Sequence, residues 1–160
     1  KHMTKARISS DSPQVIAPPP FIYLGGLAIG AILHWFKPLP FLPESLTLSL
    51  GVVSIAISVV FVVISFRALK GAKTNIDVRK PTMSIVSTGP YRFTRNPVYL
   101  SMTLFIVGVA IWVNTLWILI TLVPVLFVMK FSVIAREEAY LTRKFGEEYL
   151  RYKSKVRRWL

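Results

Sequence analysis

The stretch LTLSLGVVSIAISVVFVVISF, residues 46–66, contains no charged side chain from end to end. An α-helix needs about 20 apolar residues to cross the roughly 30 Å of hydrocarbon in a bilayer, and this stretch provides them. Upstream, FIYLGGLAIGAILHWF at residues 21–36 is shorter, but the apolar residues 39–42 extend its reach. The following Lys37-Pro38, Pro40 and Pro43 predict a tight, weakly charged turn. Residues 21–66 are therefore predicted to form a first transmembrane hairpin.

A second apolar region covers residues 98–134, which is too long for one membrane helix. Asn114-Thr115 near its middle is flanked by Trp112 and Trp117, a pattern typical of a turn at the membrane interface. The region is therefore predicted to be a second hairpin. Pro124 is predicted to bend its last span or to open the backbone there.

Polar segments surround the two hairpins. Residues 1–20 begin with Lys1-His2-Met3, typical of an expression-vector remnant, and are set aside as a polar tail. Residues 67–97 form a loop between the hairpins, and residues 135–160 continue the last span as an amphipathic helix with apolar residues at three- and four-residue steps. We expect an all-α polytopic membrane protein of about four transmembrane helices in two hairpins, with a C-terminal amphipathic helix.

Small residues in the first span predict how it packs. Gly26-x-x-x-Gly30 offers a flat helix surface on which another helix can approach closely. That neighbour is a helix of the same chain or, alternatively, a second copy in a dimer, so the oligomeric state stays open.

The net charge of +13 follows the predicted membrane topology. Basic residues are concentrated in the loop between the hairpins and in the tail, whereas the turns at residues 37–45 and at 114 carry almost none. By the positive-inside rule the loop, the tail and both termini are cytoplasmic. Because the charge tracks topology and no nucleic-acid motif is present, nucleic-acid binding is not expected. The basic residues concerned are Arg67, Lys70, Lys73, Arg79, Lys80, Arg92 and Arg95 in the loop, and Arg136, Arg143, Lys144, Arg151, Lys153, Lys155, Arg157 and Arg158 in the tail.

Several kinds of chemistry are excluded by composition. The chain has no cysteine and only two histidines, so thiolate catalysis and a cysteine or histidine metal site are not expected. A proton-coupled exporter would hold an acidic residue inside the bilayer, and the cores of the four spans contain no aspartate or glutamate. A transporter is therefore disfavoured.

One dense polar motif, GPYRFTRNPVY at residues 89–99, ends where the third span begins. Asn96 and Pro97 suit the N-cap and first position of a helix, so one interpretation is simply a capped helix start. The other is that free backbone N–H groups of this helix start, together with Arg95, bind a carboxylate or phosphate. Both interpretations stay open from these residues alone.

A second polar cluster, Arg136-Glu137-Glu138, follows the fourth span. Adjacent residues lie about 100° apart around a helix, so one glutamate can face a cavity while the other faces solvent or an arginine. The plain alternative is a charged helix end at the membrane surface in which Glu137 pairs with a basic neighbour. The aromatic residues at helical spacing in the tail are interpreted as packing residues.

In this order the two clusters resemble the isoprenylcysteine carboxyl methyltransferase and phospholipid methyltransferase superfamily. The resemblance covers roughly residues 67–160 and rests on GPYRFTRNPVY, REEAYL and FGEEYLRYKSKVRRW, with the bacterial and archaeal members most similar. Two positions differ from its usual pattern. Asn96 stands where many members have histidine, and Val133 stands where prenylcysteine-methylating members have an arginine.

The resemblance implies an S-adenosylmethionine site between the loop before span three and the start of the tail, in an integral protein of the prokaryotic inner membrane. It assigns no catalytic residue and no metal, and it implies a lipophilic acceptor, with carboxylate, amine, thiol and phenol all open. The alternative is a non-catalytic membrane scaffold or lipid-binding subunit with the same fold. The implied cofactor-binding residues are Met83, Ser84, Ile85, Val86, Gly89, Tyr91, Arg95, Asn96, Pro97, Val98, Tyr99, Glu137 and Glu138.

Overall fold

The computed structural model describes residues 11–159, and in this part of the chain the secondary structure is helical apart from one isolated β-bridge between Thr94 and Arg157. The all-α prediction is therefore confirmed. The α-helices are α1 (Pro19–Phe36), α2 (Glu44–Gly71), α3 (Pro97–Trp112), α4 (Leu116–Val128), α5 (Ala135–Phe145) and α6 (Glu147–Lys155). A π-helical turn, Met129–Ile134, joins α4 to α5 in one continuous helical segment.

Three helical segments are long and apolar enough to cross a membrane: α1, α2 and the continuous segment Leu116–Phe145. Helix α3 is apolar but has only 16 residues, which corresponds to about 24 Å. The polytopic membrane architecture predicted from the sequence is confirmed, with α3 as its shortest member. Helix α1 begins at Pro19, two residues before the predicted span, because proline is tolerated in the first turn of a helix.

The helices pair differently from the predicted hairpins. Helix α2 packs along α3 and α1 packs along α4, whereas α1 and α2 barely touch although a short turn connects them. Glycines let α2 and α3 approach closely, since a Cβ at Gly51 would meet Trp112 and a Cβ at Gly108 would meet Ile55. The two helices of the first predicted hairpin are therefore neighbours in sequence but do not pack against each other, and a gap remains between α1 and α2.

The prediction that Gly26-x-x-x-Gly30 marks a close contact is confirmed within the chain. A Cβ at Gly26 would lie 2.4 Å from a methyl group of Val125, and one at Gly30 would lie 2.8 Å from the Cα of Ile118. Both glycines therefore face α4. They let α1 and α4 approach closely, and this surface is used inside one molecule.

The turn between α3 and α4 anchors the far end of the bundle. Asn114 adopts a positive φ of 53°, as a turn residue can, and its side-chain oxygen accepts the N–H groups of Phe41 and Leu42, both at 3.0 Å. Trp117 donates its indole N–H to the carbonyl of Lys37 at 2.7 Å. The predicted turn at residues 114–115 is confirmed, and it also holds the turn that follows α1.

The two ends of the chain fold back onto the bundle. The tail was predicted as one amphipathic helix, but the helix breaks at Gly146, whose φ of +53° favours glycine, and α6 then returns to the loop before α3. Residues 11–18 were set aside as a polar tail, yet they lie on α5, where Lys144 bonds to Asp11 at 2.8 Å and Arg136 donates to the carbonyl of Gln14. The Lys1-His2-Met3 segment lies outside the described residues.

The core lies where α1, α3 and α4 meet. Large apolar side chains such as Phe21, Ile29 and Ile32 stay exposed on the outward face of α1, as expected for contact with lipid. The buried core residues are Tyr23, Tyr99, Ile106, Ala110, Ile118, Leu122, Val125, Met129, Val133 and Ile134.

Candidate functional site

A cavity lies at the end of the bundle where α3 begins and α5 follows α4. About 960 Å³ of space between these residues is free of protein atoms, counting the opening to solvent. Both polar clusters predicted from the sequence contribute to its walls. Of the predicted residues, the cavity is lined by Ser84, Ile85, Val86, Tyr91, Arg95, Asn96, Pro97, Val98, Tyr99, Glu137 and Glu138.

Two predicted residues lie outside this lining. The side chain of Met83 is 63% exposed, and only its backbone takes part locally, donating to the hydroxyl of Thr74 at 2.9 Å. Gly89 is exposed and begins a 3-10 turn, Gly89–Arg92, with a φ of +57°. Gly89 therefore shapes the loop that carries Tyr91 into the cavity.

The start of α3 is not capped in the way that its sequence suggests. Asn96 occupies the N-cap position, but its side-chain amide donates to the carbonyl of Arg158 at 2.9 Å and makes no capping hydrogen bond. Pro97 has no N–H, so the first free backbone donors of the helix belong to Val98 and Tyr99, which no side chain of the described residues caps. These N–H groups, at the positive end of the helix dipole, suit an anion.

Glu137 reaches the cavity from the other wall. Its Oε1 accepts a hydrogen bond of 2.5 Å from the hydroxyl of the buried Tyr99. The π-helical turn Met129–Ile134 ends three residues before Glu137. It widens one turn of the helix, which changes the direction in which the following side chains point. The alternative interpretation of the sequence, in which Glu137 pairs with a basic neighbour, is wrong, because the partner of Glu137 is Tyr99.

Glu138 instead forms the centre of a buried ion cluster. Arg158 binds it through two hydrogen bonds of 2.8 Å, Arg95 lies at 3.1 Å and Lys153 at 3.4 Å. The side chains of Glu138 and Arg95 are each only 9% exposed. The Nε of Arg95 is buried and has no hydrogen-bond partner in the part of the chain that the structure describes. Three cations around one carboxylate leave this wall positive and suited to a further anion.

Tyrosines form the apolar wall of the cavity. Tyr152 donates its hydroxyl to the carbonyl of Tyr91 at 2.8 Å, so α6 is fastened to the loop before α3. Burial raises the pKa of Tyr149 to about 12 and raises the pKa values of Tyr91 and Tyr152 above the usual range, so all three phenols stay neutral at physiological pH. Tyr149 and Tyr152 were interpreted as packing residues from the sequence. Their spacing of three along α6, which places both on one face, was the signal for a shared role.

The loop between α2 and α3 provides the remaining wall. The backbone N–H of Thr82 donates to the hydroxyl of Tyr140 at 3.1 Å, and the hydroxyl of Ser84 donates to the carbonyl of Ala72 at 2.8 Å. The sequence did not single out the loop residues that join the predicted ones in the lining, because no helical or strand period marks them. They are Thr74, Asn75, Ile76, Asp77, Val78 and Thr82, and Leu69, Leu141 and Pro13 complete the lining.

A second, apolar groove lies along the gap between α1 and α2. Its exposed lining is almost entirely nonpolar, and α3 provides its floor. Tyr23 links the groove to the cavity, because it lines the groove and its hydroxyl donates to the carbonyl of Tyr99 at 3.2 Å. The lining residues are Pro20, Tyr23, Leu24, Ser58, Val59, Val62, Ser101, Met102, Phe105 and Ile106.

The polar groups of the cavity sort into donors and acceptors. Donors are the N–H groups of Val98 and Tyr99 and the Nε of Arg95, and acceptors are the second carboxylate oxygen of Glu137 and the side-chain oxygen of Asn96. A ligand that carries a carboxylate and an ammonium group on neighbouring atoms is complementary to this arrangement.

One family model and one relative match the chain. The family model for phospholipid methyltransferases matches residues 46–148. A protein of Haemophilus influenzae, described only as uncharacterized, is 49% identical over 63 residues, which cover 39% of this chain and 98% of that protein. No solved structure matches the chain. The match to the family model covers the greater part of the sequence, and the chain belongs to the phospholipid methyltransferase family.

Proposed function

We propose that this protein uses S-adenosylmethionine to methylate a lipophilic acceptor drawn from the bilayer. Membership of the family supports methyl transfer at a membrane. The observation that carries the finer proposal is the cavity beside Asn96 and Glu137, which both polar clusters enclose, together with the apolar groove that meets it at Tyr23.

The cavity fits the amino-acid end of S-adenosylmethionine. Its carboxylate would accept from the N–H groups of Val98 and Tyr99 and from Arg95, whose buried Nε otherwise lacks a partner among the described residues. Its ammonium would donate to Glu137, whose second oxygen is not engaged by Tyr99. Burial of an unpaired guanidinium nitrogen is costly, so a carboxylate at this position would stabilise the site.

The tyrosine wall fits the nucleoside end. Tyr91, Tyr149 and Tyr152 present ring surfaces next to the apolar Ile85 and Val86, and a flat, mostly apolar base would pack against them. When bound, S-adenosylmethionine supplies a methyl group on a positively charged sulfur. Because the transfer consumes that charge, the chain's part is to align the reactants and to exclude water, and it needs no nucleophilic side chain.

The acceptor side follows from the gap between α1 and α2. A hydrocarbon chain lying in the groove would contact α3 on the membrane-facing side of Tyr23, and its polar end would reach the cavity past Tyr99. Such a site opens both to the bilayer, from which the acceptor arrives, and to the aqueous phase, from which the cofactor arrives. By the positive-inside rule the cavity faces the cytoplasm, since the basic loop and tail surround it.

The second candidate is a lipid-binding subunit without turnover, which the role of Asn96 favours. An amide cannot act as a general base, and here its N–H group is committed to the carbonyl of Arg158. This candidate predicts a filled groove and no transferred methyl group.

Two measurements test the proposal on the full chain in lipid nanodiscs. Calorimetry with S-adenosylhomocysteine is expected to show binding at one site, and absence of binding would refute the cofactor assignment. Transfer of labelled methyl groups from S-adenosylmethionine into a bacterial lipid extract is expected to label an organic-soluble product. Binding without any labelled product would instead support the lipid-binding subunit.

A further inference from the structure

Arg158 connects the two walls of the cavity through two different groups. Its backbone carbonyl accepts hydrogen bonds from the side-chain amide of Asn96 at 2.9 Å and from the hydroxyl of Thr94 at 3.1 Å. Its guanidinium binds Glu138 through Nε and Nη2, each at 2.8 Å. One residue of the C-terminal segment thus contacts the motif before α3 and the start of α5.

The surrounding contacts hold this residue in one place. The backbone N–H of Arg95 donates to the carbonyl of Arg157 at 2.9 Å, and Thr94 and Arg157 form the single β-bridge of the described chain. Trp159 packs against the core on the other side of Arg158. The C-terminal segment is therefore fastened by its backbone to residues 94–96 and by its side chains to the helices.

The orientation of the Asn96 amide depends on this segment. An asparagine presents an N–H donor on one side and an oxygen acceptor on the other, so donation to Arg158 directs the amide oxygen away from that carbonyl. If the guanidinium released Glu138, the carbonyl that orients Asn96 would lose one of its anchors and would be held by backbone contacts to residues 94–96 alone. Arg95 would then share Glu138 with Lys153 alone, and the buried guanidinium beside the helix start would be free to move.

We propose that Arg158 is a positioning residue of the cofactor site, which orients Asn96 through its carbonyl and holds Arg95 and Glu138 in register through its guanidinium. The inference rests on the proposed function, because it is the cofactor that Asn96 and Arg95 are positioned to bind. Arg158 itself does not line the cavity. Its effect on binding is exerted through its neighbours.

The test compares Arg158→Gln, Arg158→Lys and the control Arg151→Gln in nanodiscs, each titrated with S-adenosylhomocysteine. Arg151 is an exposed residue of α6 that makes no contact with Glu138. Its substitution by glutamine removes the same charge as Arg158→Gln. Arg158→Gln is expected to raise the Kd about tenfold, because Asn96 and Arg95 are then held less firmly in the positions that bind the ligand. Arg158→Lys is expected to recover only part of the loss, because an ammonium cannot make the two-pronged contact. The Kd of Arg151→Gln is expected to equal that of the wild type.

Hydrogen exchange at the Arg95 backbone N–H gives a readout that needs no cofactor. This N–H donates to Arg157, so exchange is expected to be faster in Arg158→Gln than in the wild type and unchanged in Arg151→Gln. Equal Kd values for wild type and Arg158→Gln, even with lower thermal stability of the variant, would overturn the inference and leave the proposed function standing. A wild-type protein that binds no S-adenosylhomocysteine would refute the proposed function, and unchanged exchange at Arg95 would then overturn the positioning by Arg158 as well.

Discussion

The hydroxyl of Tyr99 donates a 2.5 Å hydrogen bond to the carboxylate of Glu137, and this contact joins two helices whose contributing residues are 38 positions apart in sequence. Tyr99 lies in the first turn of α3, and Glu137 follows the π-helical turn after α4. The bond engages one carboxylate oxygen, Oε1, and both residues line the cavity. The two polar motifs of the sequence therefore meet at one site.

Glu137→Ala is expected to weaken the binding of S-adenosylhomocysteine by about 1.5 to 3 kcal/mol, the range for a charge-assisted hydrogen bond. The physical reason is the loss of the carboxylate oxygen that accepts from the ammonium of the ligand. Isothermal titration calorimetry of the full chain in nanodiscs measures the change.

Two further variants separate charge from geometry at this position. Glu137→Gln keeps an oxygen for Tyr99 but removes the charge, and it is expected to lose most of the affinity that Glu137→Ala loses. Tyr99→Phe keeps the charge and is expected to lose less. An affinity that is unchanged in Glu137→Ala would show that this carboxylate plays no part in binding.

Much of the fold could be predicted because the bilayer imposes simple rules. The charge-free residues 46–66 had to lie within a membrane helix, and Asn114 between two tryptophans had to be a turn. Which helices pack together was not predictable in the same way, because a short connection does not determine packing. Gly51 lies close to Trp112 and Gly108 lies close to Ile55, so α2 packs against α3. Helix α1 packs against α4 instead.

Only part of the candidate site could be predicted from local sequence patterns. The clusters that contain Arg95, Asn96 and Glu137 could be located because polar residues at helix ends stand out against apolar spans, whereas their role at a cofactor site was implied by the family resemblance. The hydrogen bond from Asn96 to Arg158 was not, because it joins residues 62 apart and depends on the break at Gly146 that returns α6 to the loop. Pro13 likewise lines the cavity from a segment that its polar composition set aside.

The apolar groove provides a test of the acceptor route. Leu24→Trp places a large side chain in the lining of the groove and is expected to lower transfer to long-chain acceptors about tenfold, in proportion to the cost of overpacking. The binding of S-adenosylhomocysteine is expected to stay unchanged, because Leu24 does not line the cavity. Labelled methyl transfer and calorimetry on the same nanodisc preparation give the two values.

Ile29→Trp is the matched control for the groove. Ile29 lies on the same helix and is equally exposed, at 55%, but it is not part of the groove lining. Transfer is expected to match that of the wild type. If both tryptophan variants reduced transfer equally, the effect would belong to the surface of α1 in general and the route through the groove would be rejected.

The packing of α1 on α4 provides a stability test. Gly30→Ala is expected to lower the free energy of unfolding by about 1 to 3 kcal/mol, because the added Cβ would lie 2.8 Å from the backbone of Ile118. Gly25→Ala is the control, since a Cβ there meets nothing within 4 Å. Unfolding in mixed detergent micelles, followed by circular dichroism, compares the two. Equal stabilities would mean that α1 and α4 do not approach each other this closely.

The docking of residues 11–18 on α5 is expected to persist at neutral pH and to fail only in acid. Hydrogen bonds from Lys144 and Tyr140 hold the pKa of the Asp11 carboxyl below its usual value. A carboxyl with a lowered pKa in the folded state contributes stability that is fully present above its unfolded value of about 3.9. That contribution is lost as the pH falls through the lower folded value, so docking should be complete at pH 7 and at pH 5 and should weaken only below about pH 4.

The absence of cysteine from the chain makes this measurement direct, because a single spin label can be attached at Ser12→Cys. The label is expected to be restrained at pH 7 and pH 5 and to gain mobility only as the pH falls below about 4, whereas in an added Asp11→Asn background it should be mobile at every pH. A second label at Arg151→Cys, on the exposed face of α6, reports whether the whole domain unfolds in acid. Release of the Ser12 label between pH 6 and pH 7 would contradict a lowered pKa of the Asp11 carboxyl, because that carboxyl stays ionised in this range. Equal mobility of the label with and without Asp11 would show that Asp11 does not hold the segment in place.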